Sequence, residues 1–452
     1  MNLAGGEERG SIRFLFEGRL LTAREGETIA AALTRHGVRI FGRSSKYHRP
    51  RGYRCGRGDC GACAMRVDGL PGVRTCVTKV RSGMVVEREH AWPNADRDVL
   101  RVAELFSPLM PPGFYYRWFR RSPRLWHLFE RFLAHLAGQG GMPSRQAAER
   151  LLSARCVRRT VDVLVVGGGI AGMTAACAAA ETGASVLLVE RDDELGGRLR
   201  DRAGRDSVED FISAVVNHPS VEVLTEAEVL GWYEEGTLAV HISPDLLLVN
   251  PSQVVLATGG YDRGLPFPNW DISGVAFTSG ILRLLSRYSV CLGMRAAIVT
   301  DSDVGYEDAL RLLAAGIDLA CVADTRVPDA VRSPLAGGVE ARGVPVLTNV
   351  KSLRAEGFNG VSGLAVLHGG TRSTFECDLV CVSSGCLPAD ELAFQALARG
   401  SFVLSASGSP ERRGDASPGV HLAGLLAGAL TVTSAVRQAE QVGRLAASAV
   451  SA

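Results

Sequence analysis

Three cysteines fall within nine residues, spaced Cys55-x4-Cys60-x2-Cys63, and after a twelve-residue gap comes Cys76. A C-x4-C-x2-C run wraps three thiolates around one edge of a [2Fe–2S] cluster, and a fourth ligand returns later in the chain. Gly56, Gly58 and Gly61 stand where backbone must approach inorganic sulfide and aim N–H groups at it. Asp59 and Ala62 are small enough not to obstruct that approach, and the turn Asp68-Gly69-Leu70-Pro71-Gly72 brings Cys76 back. A zinc site would favour paired C-x2–4-C knuckles instead. Cys55, Cys60, Cys63 and Cys76 are therefore the expected cluster ligands. Of the other cysteines, Cys377, Cys381 and Cys386 match no common metal spacing. Cys381 sits in the apolar run Leu379-Val380-Cys381-Val382 and reads as a buried strand residue. Cys156, Cys177, Cys291 and Cys321 also read as structural.

The remaining numbers set bounds. A chain of 452 residues has room for two to four domains. A net charge of +2 gives no reason to expect a nucleic-acid partner. No apolar stretch approaches the roughly 20 residues that span a bilayer. The start, Met1-Asn2-Leu3-Ala4-Gly5-Gly6-Glu7-Glu8, lacks a basic stretch followed by an apolar one. The expected compartment is the reducing cytoplasm, where clustered cysteines more often hold metal than pair as disulfides.

Residues 11–35 read as strand, turn, strand and helix. Ile12 to Phe16 alternates, Glu17-Gly18 turns, Leu20 to Ala23 returns, and Thr28 caps a helix that ends near Gly37. A hairpin, a helix and a cysteine loop form the β-grasp pattern of plant-type ferredoxins, and this domain is expected over 1–90. Residues 91–157 form a connector rich in aromatics, including Trp92, Phe106, Phe114, Trp118, Trp126 and Phe129. It reads as a helical bridge, or as an interface, where aromatics and Arg are enriched. From Val161 the chain becomes α/β. A first nucleotide-binding, Rossmann-like unit is expected over 158–285 and 375–452, with Asp378 to Ser383 returning to it as a strand. A second nucleotide-fold unit is expected as an insert over 286–374.

The sequence Gly167-Gly168-Gly169-Ile170-Ala171-Gly172 follows an apolar strand and opens a helix. In that context Gly167 permits the tight turn, Gly169 admits a pyrophosphate to the helix N-terminus, and Gly172 lets helix pack on strand. Glu190 ends the next strand, where a carboxylate binds ribose hydroxyls and disfavours NADP; Arg191 follows it. Gly197, in Glu194-Leu195-Gly196-Gly197, and Thr258-Gly259, after the strand Val254 to Ala257, complete the expected dinucleotide-binding set. The segment resembles two-dinucleotide-fold flavoproteins. Those proteins usually carry an Asp in a late segment to hold FAD, but here it reads His421-Leu422-Ala423-Gly424-Leu425, so FAD and NAD both stay open. The inserted unit has Thr300-Asp301-Ser302-Asp303-Val304-Gly305-Tyr306 where a second glycine motif would stand. No catalytic residue is identified on spacing alone.

Three further segments are distinctive: Ser44-Ser45-Lys46-Tyr47-His48-Arg49-Pro50-Arg51-Gly52, Ala91-Trp92-Pro93-Asn94, and Ser107 to Tyr116. With the glycine loop and the Thr300–Tyr306 segment, they resemble the alpha subunit of heterotetrameric sarcosine oxidase over nearly the whole chain. Related alpha subunits occur in dye-linked proline dehydrogenases, opine oxidases and hydrogen cyanide synthase. The resemblance implies an adenine dinucleotide on this chain, a beta-type subunit holding substrate and FAD, and further small subunits in some relatives. It also implies an FMN between subunits, as in sarcosine oxidase itself. Two departures stand out: this sequence stops at Ala452 without the folate-binding half, and it has the four cysteines that the sarcosine oxidase chain lacks. The expectation is an electron-transferring subunit of a flavin-dependent amine or imino-acid dehydrogenase. Two alternatives are a self-contained NADH:acceptor oxidoreductase and a structural partner whose dinucleotide is a fixed prop.

Overall fold

In the computed structural model, residues 11–109, 122–136, 141–233, 236–331, 334–397, 402–404, 410–412 and 419–450 are described. The chain forms two compact units, each discontinuous in sequence: 1–148 with 262–385, and 149–261 with 386–452. Among the described residues no helix is long and apolar enough to cross a membrane.

The first unit begins with the expected hairpin. Ile12–Phe16 pairs antiparallel with Arg19–Ala23 and parallel with Val85–Glu87. Ala64–Val67 and Leu70–Arg74 complete a five-stranded sheet. Thr28 caps the helix Ile29–Arg35, its hydroxyl accepting from the Ala31 N–H at 3.3 Å. That helix is apolar on nearly every side and buried throughout, from Ile29 to Thr34. Its core runs without a break into the inserted nucleotide-fold region: Phe14, Leu33 and Met84 belong to one apolar cluster with Ile281, Leu284 and Ile298. The cluster-loop domain and the insert therefore share a single hydrophobic core.

The insert carries a parallel sheet in the order Val275–Phe277, Leu379–Ser383, Arg295–Thr300, Asp318–Asp324, Val346–Leu347. Here the structure departs from the sequence reading. Leu379–Ser383 does not return to the first nucleotide fold, as its sequence position suggests, but lies between two strands of the insert. Its run of five buried residues fits the centre of any parallel sheet, so its pattern does not say which one. The insert consequently runs over 262–385 and includes the helix Thr278–Tyr288, which a 286–374 boundary would cut. In the connector, Val99–Leu109 is a 3-10 helix, and Pro123–Leu136 and Arg145–Leu152 are α-helices. Phe114 and Trp118 lie outside the described residues, as do Met110 to Tyr116 of the third resemblance segment.

The second unit is a sheet in the order Val221–Leu224, Val186–Val189, Cys156–Val166, Asp245–Leu256, Leu238–Ile242, Ala227–Trp232, with Val420–Leu422 joined to Asp245–Leu256. Cys156–Val166 pairs parallel with both Val186–Val189 and Asp245–Leu256. The glycine loop thus leaves the carboxyl end of a central strand, the position at which open α/β sheets take ligands.

Candidate redox-cofactor sites

The cysteine loop brings all four predicted thiols together. Cys55, Cys63 and Cys76 are each 2% exposed, whereas Cys60 is exposed. The sulfurs form a hydrogen-bonded chain, Cys60–Cys55–Cys76–Cys63. Along this chain the hydrogen bonds hold the Cys55 and Cys63 thiols down and push those of Cys60 and Cys76 up. Backbone N–H groups add to this, from Arg57 and Cys60 toward Cys55 and from Gly58 to Cys76 Sγ at 3.3 Å. Gly56, Gly58 and Gly61 have φ of 71°, 81° and 64°, the left-handed turns that aim those amides inward. Among the described residues no three His, Cys, Asp or Glu side chains gather as a site for one ion would gather them. Four linked thiols among inward-facing amides are a donor set that fits a [2Fe–2S] cluster.

Sequence reasoning missed what lies under the loop. The Tyr53 hydroxyl donates to Gly280 O at 3.1 Å, and Phe277 N donates to Arg54 O at 3.1 Å. A Cβ at Gly280 would lie 2.7 Å from Arg54 O and 2.8 Å from Cys55 O, so only glycine allows the helix Thr278–Tyr288 this near the loop. The Ser44–Gly52 segment works as a clasp. Arg49 donates to Asp271 Oδ1 at 2.6 Å and also bonds Asn269, and Arg51 lies 3.1 Å from Asp271 Oδ2. His48, fully buried, holds Asp98 at 2.8 Å and ties the connector to the same place. Nothing in the local spacing marks Asp271 or Gly280; the alternation of arginines in Arg49-Pro50-Arg51 is the one signal that points outward.

In the second unit, Gly167 has φ of 106°, and a Cβ there would collide with Ala257 O. A Cβ at Gly172 would collide with Gly167 O, whereas Gly169 faces open space. Gly169 is the N-cap of the helix Ile170–Ala180 and offers no side-chain cap, so the first helical N–H groups remain available to a phosphate. Glu190 is buried at the end of Val186–Val189; its oxygens accept from Gly168 N at 2.5 Å and Asp192 N at 2.8 Å. Burial pushes its carboxyl above the ordinary range, and those amides partly oppose the shift. Gly197 passes beside Gly169, and the Thr258 hydroxyl donates to Ala389 O at 2.6 Å with Gly259 in a left-handed turn. Arg191 is exposed. In the late segment Gly424 N donates to Gln438 Oε1 at 3.1 Å, a partner with no local sequence signal.

The corresponding loop of the insert is built differently. Thr300 Oγ1 donates to Ser383 O at 2.6 Å and leaves no room for a Cβ at Gly305. Tyr306 Oη donates to Asp324 Oδ2 at 2.8 Å, at the strand end where a ribose-binding acid would act. Arg326 holds Asp324 at 2.7 Å and Asp303 at 2.8 Å, and Arg263 holds Asp301 at 2.5 Å.

Comparison with known proteins agrees with this geometry. Residues 9–91 match the family described as a 2Fe–2S iron–sulfur cluster binding domain, and residues 162–236 match FAD dependent oxidoreductases. The chain thus joins a [2Fe–2S] domain to a flavoprotein-type dinucleotide fold. It is a homologue of the alpha chain of sarcosine oxidase from Rhizobium meliloti (strain 1021), 30% identical over 84% of this chain and 40% of the relative. An opine oxidase chain from Agrobacterium tumefaciens (strain Ach5) is 27% identical over 39% of this chain and 38% of the relative. The matches thus span about two fifths of the length of these relatives. L-proline dehydrogenase from P. horikoshii shares the fold over 97% of this chain and 73% of that one, with a TM-score of 0.67 and 21% identity.

Proposed function

We propose that this chain is the electron-transferring subunit of a flavin-dependent amine or imino-acid dehydrogenase, with its [2Fe–2S] cluster on Cys55, Cys60, Cys63 and Cys76. The observation that carries this reading is the gathering of four thiols in a loop of inward-facing amides, fused to a dinucleotide-binding fold. Four thiolates this close repel one another unless cationic charge lies among them, which two iron ions supply. When bound, the cluster accepts and releases single electrons, and the dinucleotide supplies hydride chemistry if it is FAD. This chain's own part is to hold those groups. The amides of Arg57, Gly58 and Cys60 stabilise sulfur charge, and burial of three ligands leaves Cys60 as the exposed edge. In this reading Gly167, Gly169 and Gly172 admit a pyrophosphate and Glu190 receives the ribose, with Arg191, Gly197, Thr258 and Gly259 as the remaining dinucleotide-binding residues. Substrate oxidation falls to a beta-type FAD subunit in the cytoplasm, with an FMN between the subunits as in sarcosine oxidase. Purification of the native complex tests this: a flavoprotein partner should co-purify, and a fully active chain isolated alone would overturn the assignment.

The self-contained NADH reductase is the weaker reading. In the insert, the positions that would take NADH ribose and phosphates are filled by Tyr306, Arg326 and Arg263 bonded to Asp324, Asp303 and Asp301. Rapid bleaching of the bound flavin by NADH in the isolated chain would restore that reading.

A further inference from the structure

Around the cluster loop, positive charge is gathered on the side that faces the insert. Arg49 and Arg51 share one carboxylate, Asp271, at 2.6 and 3.1 Å. Arg54, next to Cys55 in sequence, is 7% exposed, and its side-chain hydrogen bond and ring contact go to Trp270 rather than to an acid. Its guanidinium lies 4.8 Å from the Trp270 ring centroid and donates to Trp270 O at 3.3 Å. A buried guanidinium is costly without an anionic counterpart. Arg51 adds like charge beside it, and the anionic groups whose fields reach Arg54 are Cys60, Asp271 and Cys55, two of them cluster cysteines.

We propose that Arg54, held against Trp270 of the inserted domain, is a potential-setting residue whose counter-ion is the [2Fe–2S] cluster. The insert then has a task that its filled nucleotide loop would not reveal: it carries the ring and carbonyl that fix a cation beside the metal centre. A cluster with four thiolate ligands is anionic when oxidised and gains one further negative charge on reduction. A fixed cation therefore favours the reduced form and raises the reduction potential. Trp270 acts through Arg54 as a positioning residue, because cation–π stacking keeps the guanidinium from swinging into water.

The inference rests on the cluster assignment, so the experiment reads the two separately in the whole complex. Iron, acid-labile sulfide and the electron paramagnetic resonance spectrum of the reduced protein report the cluster; a dye-mediated redox titration of the same signal reports its midpoint potential. In Arg54→Met the signal should persist with its midpoint shifted to more negative potential, and Arg54→Lys should recover most of the shift. Should Arg54→Met fail to assemble, Trp270→Leu decides the matter: the charge stays but loses its stack, and a smaller negative shift is expected. An unchanged midpoint in an assembled Arg54→Met, or in Trp270→Leu if that first variant fails, overturns the role of Arg54 while leaving the cluster intact. A wild-type complex without iron overturns the cluster assignment itself.

Discussion

The two nucleotide-fold loops have the same strand–loop–helix order and opposite contents. At Gly167–Gly172 the backbone folds tightly on itself and Gly169 faces open space at the N-terminus of its helix; both loops open a helix without a side-chain cap, so the contrast lies in the loops themselves. At Thr300–Tyr306 a hydroxyl, a phenol and two guanidinium groups occupy the corresponding positions, each bonded within the protein. The fold alone therefore does not make a dinucleotide site; the site needs donors left over after the protein has satisfied itself. The insert's loop has committed its side-chain donors to its own acids and to the Ser383 carbonyl, and its domain has merged its core with that of the cluster-binding domain instead.

The largest effect should come from the cysteines. Cys63→Ser or Cys76→Ser should remove nearly all iron and electron transfer to an external one-electron acceptor, with dinucleotide content unchanged on extraction. Next, Gly172→Ala places a Cβ into Gly167 O; it should abolish bound dinucleotide and cost roughly 2–4 kcal/mol in chemical denaturation. Its counterpart Gly305→Ala should destabilise by a similar order without altering dinucleotide content, and a loss of nucleotide there would break the contrast between the loops. Asp324→Asn weakens the Tyr306 and Arg326 bonds; a cost of about 1–3 kcal/mol is expected, again with nucleotide retained.

The smallest effect is one of pH. Burial raises the Glu190 carboxyl above its ordinary value of 4.5. Its protonated form is thus the one favoured by folding, so its contribution is fully present below that ordinary value and fades as pH rises through the raised one. In the dinucleotide-free protein, Glu190→Gln should flatten the fall in stability just above pH 4.5, which thermal melts across that range would record.

Much of this was legible in the sequence because the chemistry is local. Cluster ligands at x4 and x2 spacing, with glycines between them, declare themselves within nine residues, and so does a glycine loop between an apolar strand and a helix. Long-range choices were not legible. Arg49 meets Asp271 across 222 positions, and no periodicity encodes such a pairing. Leu379–Ser383 is apolar on both faces and would suit either sheet, so its residues determine that it is a strand but not which strands flank it. Gly280 and Trp270 carry no motif; their meaning comes only from the loop they support.

The central claim is one cluster and one dinucleotide per chain, the first on the cysteine loop and the second at Gly167–Gly172. Quantifying iron, acid-labile sulfide and extracted nucleotides in the purified native complex, with Cys76→Ser and Gly172→Ala alongside, tests it most directly. About two iron and two sulfide per chain are expected, lost only in Cys76→Ser, with a single dinucleotide on this chain lost only in Gly172→Ala. Iron that survives Cys76→Ser, or dinucleotide bound to this chain that survives Gly172→Ala, would contradict it.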